Sequence, residues 1–448
     1  MMRRITLYIL GVMTLIMSSC TDNSYLDAIP AESTAIIAMD PGKMSGINNV
    51  AVLKSLLKIS NADKTGLDLS HKVMLFEAPD GNLGVCVKVN SEDDLTETIT
   101  NLYKKGACPK PVERRGFHFT MLKDAWVAGW SSSSLLIMGP VTVDRQAEMQ
   151  QMIARYLKQD EENGITSSRL YAKLDSLDAP ITMVAQAQAL PNQFVAPFTL
   201  GAPKDSDPSQ VLVAAEMKVS KGVMTMKGET FSFNKRVDKA LKEAAANYRP
   251  IQGTYVASMP QDAMMGMFVN VDGTKFLPMM QSNKGVQALL AGINTAVDMD
   301  NIIRSVDGDM ALITPSYNEN SLTMCMSAQL GNAKWIDDVS YWKQSCPSGG
   351  KIVDWQKNAW YYTDNKTTFF FGVTPDMQFY SGSSKDEALA SIAKAQNPLN
   401  NDIQKLIKGE RLVMIINMNA FSGDKAGAVT SMLKPIFGNV QTIVYTLK

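Results

Sequence analysis

Two stretches of the chain repeat one order of apolar and polar positions. Each begins with a proline and a turn, continues as an apolar strand that carries a cysteine, and becomes an amphipathic helix before Cys-Pro. The first copy spans Pro79 to Pro109, and the second spans Pro315 to Pro347. Ser91 is the predicted N-terminal cap of the first helix. Its apolar residues at helical spacing, which should face the core, are Leu95, Ile99, Leu102 and Tyr103.

The similarity continues after both copies, where Lys123-Asp124-Ala125-Trp126 matches Lys357-Asn358-Ala359-Trp360. From these matches we predict a tandem duplication, with a first α+β repeat at 29–248 and a second at 249–448. Because hairpins alternate with single helices, each half is expected to be a mainly antiparallel sheet with packed helices. The last strand, Thr442 to Leu447, lacks a following partner and is predicted to be a sheet edge.

The start of the chain has the features of a lipoprotein leader. Arg3 and Arg4 precede an apolar core, Ile5 to Met17, that is too short to span a bilayer as a stable helix. Met17-Ser18-Ser19-Cys20 then resembles a bacterial lipobox, although Met17 stands where lipoproteins usually carry Leu.

We therefore expect residues 1–19 to be a lipoprotein signal peptide, Cys20 to be lipidated, and residues 20–28 to be a lipidated tether. The alternatives are an ordinary signal peptide cut near Ser19 or a short membrane anchor. No later stretch has twenty continuous apolar residues. Membrane association is therefore expected through the Cys20 lipid.

Composition excludes one class of partner. The 44 Lys and Arg residues balance 44 Asp and Glu residues, so the chain lacks the basic charge of a nucleic-acid-binding protein. The 448 residues are 45% hydrophobic and 20% charged, which is typical of a globular chain with two or three domains.

The lipobox, the opening Tyr25-Leu26-Asp27-Ala28-Ile29-Pro30 and the strand Ala35 to Asp40 carry a family resemblance. They resemble a family of uncharacterised Bacteroidetes lipoproteins, of the domain of unknown function 4836 type. The resemblance covers nearly the whole mature chain, but its motifs are structural, so it implies no activity and no catalytic residue. We expect an outer-membrane lipoprotein that faces either the periplasm or the cell surface.

The four later cysteines fall two to each half. Export permits disulfides, and the helix after the strand brings Cys108 back to the level of Cys86. We therefore predict the pairs Cys86–Cys108 and Cys325–Cys346. However, the valines on either side of Cys86 should face the helix, which directs Cys86 to the opposite side of the strand. The competing interpretation is four buried thiols.

No known catalytic or metal motif occurs in the chain, so we predict no catalytic residue, no metal and no cofactor. His71 and His118 are the two histidines, and His118 is expected to be a satisfied or exposed strand residue. The 29 methionines, several of them between Met264 and Met280, are interpreted as flexible core filling rather than as ligands for Cu(I).

Aromatic residues concentrate in the second half, and Tyr361 and Tyr362 are the candidates for an aromatic contact surface. The alternative is aromatic packing between sheets. The sequence favours a non-catalytic binding or scaffold module of the cell envelope, with another envelope protein or a glycan as partner. The alternative is an envelope or glycan-directed hydrolase whose carboxylates are brought together only by the fold.

Overall fold

The structure is a computed structural model that describes residues 23–43, 64–122, 125–190, 192–287, 296–315, 317–318, 321–365, 367–420 and 440–448. The chain divides into two compact units, Met1–Ser176 and Leu177–Lys448, and each is described by itself. Both units are mixed α+β, and their sheets are mostly antiparallel. The repeat boundary near Arg249 stays a prediction.

The first unit has one antiparallel sheet among its described residues, in the order β1-β2-β3-β7-β6-β5-β4. Its strands are β1 (Ala35–Met39), β2 (Val73–Glu77), β3 (Leu83–Lys88), β4 (Val112–Arg114), β5 (Phe117–Leu122), β6 (Trp126–Trp130) and β7 (Ser134–Gly139). Its helices are α1 (Glu92–Lys104), α2 (Gln146–Tyr156) and α3 (Arg169–Asp175).

Helix α1 forms as its sequence predicts, with one exception. The Ser91 side chain accepts a hydrogen bond from the Asp94 amide, and three acidic residues occupy the first turn, where they favour the helix dipole. Leu95, Ile99 and Leu102 are buried. Tyr103 was expected to face the core, but it is 43% exposed because it lies at the border of the apolar stripe.

The second unit has a twelve-stranded sheet among its described residues, in the order β8-β9-β10-β21-β20-β11-β12-β15-β19-β18-β17-β16. These strands are β8 (Ile181–Gln186), β9 (Leu212–Ser220), β10 (Val223–Phe231), β11 (Met265–Asp272), β12 (Val306–Thr314), β15 (Cys325–Leu330), β16 (Lys351–Gln356), β17 (Ala359–Thr363), β18 (Thr368–Val373), β19 (Gln378–Gly382), β20 (Leu412–Asn417) and β21 (Thr442–Leu447). A separate hairpin consists of β13 (Tyr317–Asn318) and β14 (Ser321–Leu322).

The helices of this unit are α4 (Asn192–Phe198), α5 (Lys235–Ala245), α6 (Gly273–Ser282), α7 (Met299–Arg304), α8 (Val339–Gln344), α9 (Lys385–Ala390) and α10 (Asn401–Ile407). Strand β21 is not a sheet edge, contrary to the prediction. It pairs in parallel with β10 and antiparallel with β20. The partner strand comes from a hairpin more than 200 residues earlier in the chain, which local sequence does not indicate.

One face of this sheet is covered by a continuous core that includes Tyr255, Met259, Phe268 and α10. Asp309 on β12 joins the loop before β11 to this face. Its buried carboxylate accepts hydrogen bonds from the amides of residues 252–254 and from the Asn270 side chain, at 2.7–2.9 Å. Four donors satisfy a group that is otherwise costly to bury.

Replacement of Asp309 by Asn should lower the free energy of unfolding by about 3 kcal/mol. The reason is that an NH₂ group replaces one carboxylate oxygen and then faces N–H groups that can only donate hydrogen bonds. Asp307→Asn is the matched control, since this exposed residue pairs with Arg249 at the surface and should cost less than about 1 kcal/mol. Denaturant unfolding followed by circular dichroism measures both. Equal losses in the two variants would contradict the role assigned to Asp309.

Candidate functional site

The other face of the second sheet carries a row of apolar side chains. Directly paired residues on neighbouring strands point to the same face of a sheet. The pairing therefore aligns five side chains across strands β21, β20, β11, β12 and β15. In this order they are Tyr445, Met414, Met267, Leu312 and Met326. We call this side of the sheet the methionine face.

An apolar crevice lies on the methionine face over the middle of the sheet. Its volume is about 670 Å³, including space that is open to solvent. The strands form its floor, and side chains from α6 and α7 form its walls. Six of its thirteen lining residues are methionines: Met267, Met280, Met299, Met310, Met324 and Met326. We call it the methionine crevice.

The floor of the crevice is incompletely covered. Met267 on β11 and Leu312 on β12 are only half-buried, although these strands lie well inside the sheet order. The deeper residues Met299 and Met310 are each 3% exposed. An exposed apolar surface at such a position is typical of a ligand groove.

None of the described residues that line the crevice is charged. Ser381 is the one polar residue in the lining that the structure describes, and its hydroxyl donates to the Met326 carbonyl at 3.4 Å. Methionine side chains are flexible and polarisable, so they adapt to ligands of different shapes. The crevice can therefore hold an apolar molecule by burial and dispersion.

A second, smaller cavity adjoins the first on the methionine face. Its volume is about 350 Å³, including open solvent, and Leu200 lines both cavities. Tyr248 and Tyr445 contribute to its lining, so we call it the tyrosine pocket. Phe198, at the end of α4, packs edge-on against the Tyr445 ring at 4.8 Å between ring centroids.

Sequence reasoning noticed the methionines but not the crevice. It interpreted the run from Met264 to Met280 as core filling, which fits the buried Met264 and Met279. Met267 and Met280 instead line the crevice, together with methionines that lie 19 or more residues later in the chain. The one local signal is the alternation of Met324 and Met326 around Cys325, which puts two methionines on one face.

The structure contradicts both predicted disulfides, because Cys86, Cys108, Cys325 and Cys346 are all free thiols. Cys86 faces away from α1 and donates to the Tyr25 carbonyl at 3.4 Å. Cys108 lies on the α1 side and donates to the Ile99 carbonyl at 3.7 Å. The sheet therefore separates the two sulfurs. Three thiols are buried as the competing interpretation holds, and Cys346 is half-buried.

The two candidate tyrosines lie on opposite sides of β17. Tyr362 is 3% exposed and donates to the Asp364 carboxylate at 2.8 Å, so it is not part of a contact surface. Tyr361 is half-buried, and its ring stacks on Phe370 at 5.0 Å between centroids. The alternation of side chains along a strand explains this difference between neighbours.

Asp68, Ser70 and His71 form a polar cluster that sequence reasoning missed, although the three-residue spacing of Asp68 and His71 is a signal. Asp68 and Ser70 both approach Nδ1 of His71, at 2.9 and 3.3 Å, whereas a catalytic triad uses both ring nitrogens. Lys88 lies 3.3 Å from the other nitrogen. Burial opposes ionisation of Asp68, but hydrogen bonds from Ser70 and His71 outweigh it and lower its pKa. The cluster fits a structural role.

His118 is a satisfied strand residue, as expected. It stacks on Trp130 at 5.4 Å between ring centroids and lies 3.5 Å from Glu92. Within the described ranges no three His, Cys, Asp or Glu side chains are grouped to hold a metal ion. Among the same residues no helix has the length and apolarity needed to cross a membrane. Cys20 lies outside the described residues.

The fold and cavities define a mixed α+β protein with an apolar crevice on one sheet. The chain belongs to the family described as "Domain of unknown function (DUF4836)", whose model matches residues 42–420. No curated protein matches the chain significantly.

Two solved structures of TP0453 show a distant likeness. Crystal form IV is 8% identical and covers 44% of this chain and 76% of that chain, with a TM-score of 0.28. Crystal form III is 9% identical, and the match covers 82% of this chain and 96% of that chain, with a TM-score of 0.22. Both scores are too low for the likeness to bear on fold or function.

Thiol labelling tests the cysteine assignment. In the native protein Cys346 should react first, because Cys86 is fully buried and burial also raises the pKa of Cys325 to about 12. After denaturation without reductant, all four thiols should be alkylated, and a reduced sample serves as the control. A disulfide-linked peptide pair in the mass map would overturn the assignment.

Proposed function

We propose that the protein is a lipid-anchored cell-envelope module that binds an apolar ligand in the methionine crevice without acting on it chemically. The observation that carries this proposal is the half-buried floor of the crevice. Apolar surface that helices leave uncovered gains about 25 cal/mol per Å² when a ligand removes it from water. The apolar lining with its one bonded hydroxyl supports binding rather than hydrolysis.

The proposed anchor is a lipid on Cys20, which would hold the module at the outer membrane, facing the periplasm or the cell surface. The lipobox-like sequence supports this location. The half-buried ring of Tyr361 is the proposed contact for another envelope protein or a glycan.

The proposal includes a tandem duplication. The order β1-β2-β3-β7-β6-β5-β4 in the first unit corresponds strand by strand to β11-β12-β15-β19-β18-β17-β16 in the second. Gly129 on β6 and Gly372 on β18 occupy corresponding strands of the two orders. The Lys-Xaa-Ala-Trp matches do not correspond, since Trp126 begins β6 whereas Trp360 lies in β17. An experimental structure with different strand orders would refute the duplication.

Leu312→Glu tests ligand binding. A carboxylate on the half-buried floor should weaken binding of the uncharged fluorophore N-phenyl-1-naphthylamine at least about tenfold, because an apolar ligand cannot solvate it. Leu406→Glu is the matched control, since Leu406 is 39% exposed on α10 and outside both cavity linings. Fluorescence titration measures both affinities, and circular dichroism checks the fold. Equal affinities, or no binding by the wild type, would contradict the proposal.

Cys20→Ala tests the anchor. The variant should leave the membrane fraction and become extractable without detergent, because the acylated residue is lost. Cys346→Ala, which changes a half-buried thiol in the folded part, should stay with the membrane. Immunoblots of fractionated cells compare the two variants. Retention of Cys20→Ala in the membrane fraction would show that another feature anchors the chain.

A further inference from the structure

Tyr445 has a hydroxyl without a hydrogen-bond partner, although the residue is 2% exposed. Buried hydroxyls are normally paired, and each exception needs an explanation. Tyr445 lines the tyrosine pocket, which adjoins the methionine crevice at Leu200. The residue that carries this unused donor therefore lines a cavity that shares Leu200 with the methionine crevice.

The position of the ring is set by its neighbours. Gly228 lies beneath it on β10, where an added Cβ would come within 2.7 Å of the Tyr445 ring. Phe198 packs edge-on against it from above. A ring held between these two residues gives the hydroxyl a fixed place in the pocket lining, which is what recognition of one ligand atom requires.

The surroundings favour a neutral ligand. Among the described residues that line the two cavities, none is Lys, Arg or His, so a buried carboxylate or phosphate would lack a cation there. Burial and the nearby Glu229 raise the pKa of Tyr445, so the phenol keeps its proton and remains a donor. The negative charge of Glu229 further disfavours an anion.

We infer that the ligand is a neutral single-chain lipid whose tail occupies the methionine crevice and whose terminal hydrogen-bond acceptor meets the Tyr445 hydroxyl. This inference rests on the proposed function. The side-chain row from Met326 to Tyr445 crosses five strands, or four steps of about 4.8 Å. A ligand that reaches from the crevice to Tyr445 must therefore be extended, as an acyl chain is, rather than compact.

The test compares three ligands of similar length by displacement of N-phenyl-1-naphthylamine: methyl decanoate, n-undecane and decanoate anion. Wild-type protein should bind the ester about fivefold more tightly than the alkane, the usual gain from one hydrogen bond. The anion should bind at least about tenfold more weakly than the ester.

Tyr445→Phe removes only the hydroxyl. It should reduce the affinity for the ester to that for the alkane and leave alkane binding unchanged. Tyr341→Phe, at a 68% exposed tyrosine on α8, should preserve the preference for the ester.

The outcomes separate the two proposals. If the wild type binds no ligand, the proposed function fails. If it binds ester and alkane equally, or if Tyr445→Phe keeps the preference for the ester, the assignment to Tyr445 fails while apolar binding stands. Tighter binding of the anion than of the ester would overturn the inference of a neutral ligand.

Discussion

The sheet of the second unit has two apolar faces that must be covered, and the helices of the unit cover them unequally. On one face, the core around Tyr255 and Phe268 packs continuously beneath α10. On the methionine face, the coverage thins over β11 and β12, where Met267 and Leu312 are half-buried. Pairing on both sides of each strand fixes which residues point to that face. The crevice therefore follows from the register together with incomplete coverage.

Strand β12 contributes side chains to both faces of the sheet, a hydrogen-bonded network on one face and flexible methionines on the other. Asp309 points to the well-packed face and holds the preceding loop through three amides and Asn270. Its neighbour Met310 points to the opposite face and lines the crevice. The floor is thus held in register by pairing and by a buried hydrogen-bond network, while flexible thioether side chains shape its surface. Such a site can admit apolar ligands without rearrangement of the strands.

Much of the fold could be predicted from the sequence, because the strands and α1 are encoded by local periodicity and capping. The predictions failed where spatial neighbours are distant in sequence. Strand β21 looked like an edge because its partner β10 belongs to a much earlier hairpin. The spacing of Cys86 and Cys108 gave the right reach along the chain, but side-chain alternation places them on different faces of the sheet.

The candidate site was less predictable than the fold. The abundance of methionine was visible in the sequence. However, the six methionines of the crevice come from α6, α7, β11, β12, β15 and the residue before β15. Their convergence depends on register and on where coverage stops. Tyr361 and Tyr362 illustrate the same limit, since adjacent rings differ only in the side of β17 to which they point. Tyr445 gave no sequence signal, because an unpartnered hydroxyl is a property of its packed surroundings.

The central claim is that the methionine crevice is a ligand site, and methyl NMR of protein labelled at the methionine methyl groups tests it most directly. Titration with N-phenyl-1-naphthylamine should shift the resonances of Met267, Met310 and Met326 through the ring current of the bound probe. Met74 and Met138, which are buried in the first unit, should not move. Saturation of the protein with no change at the three crevice methionines, or with changes only elsewhere, would contradict the claim.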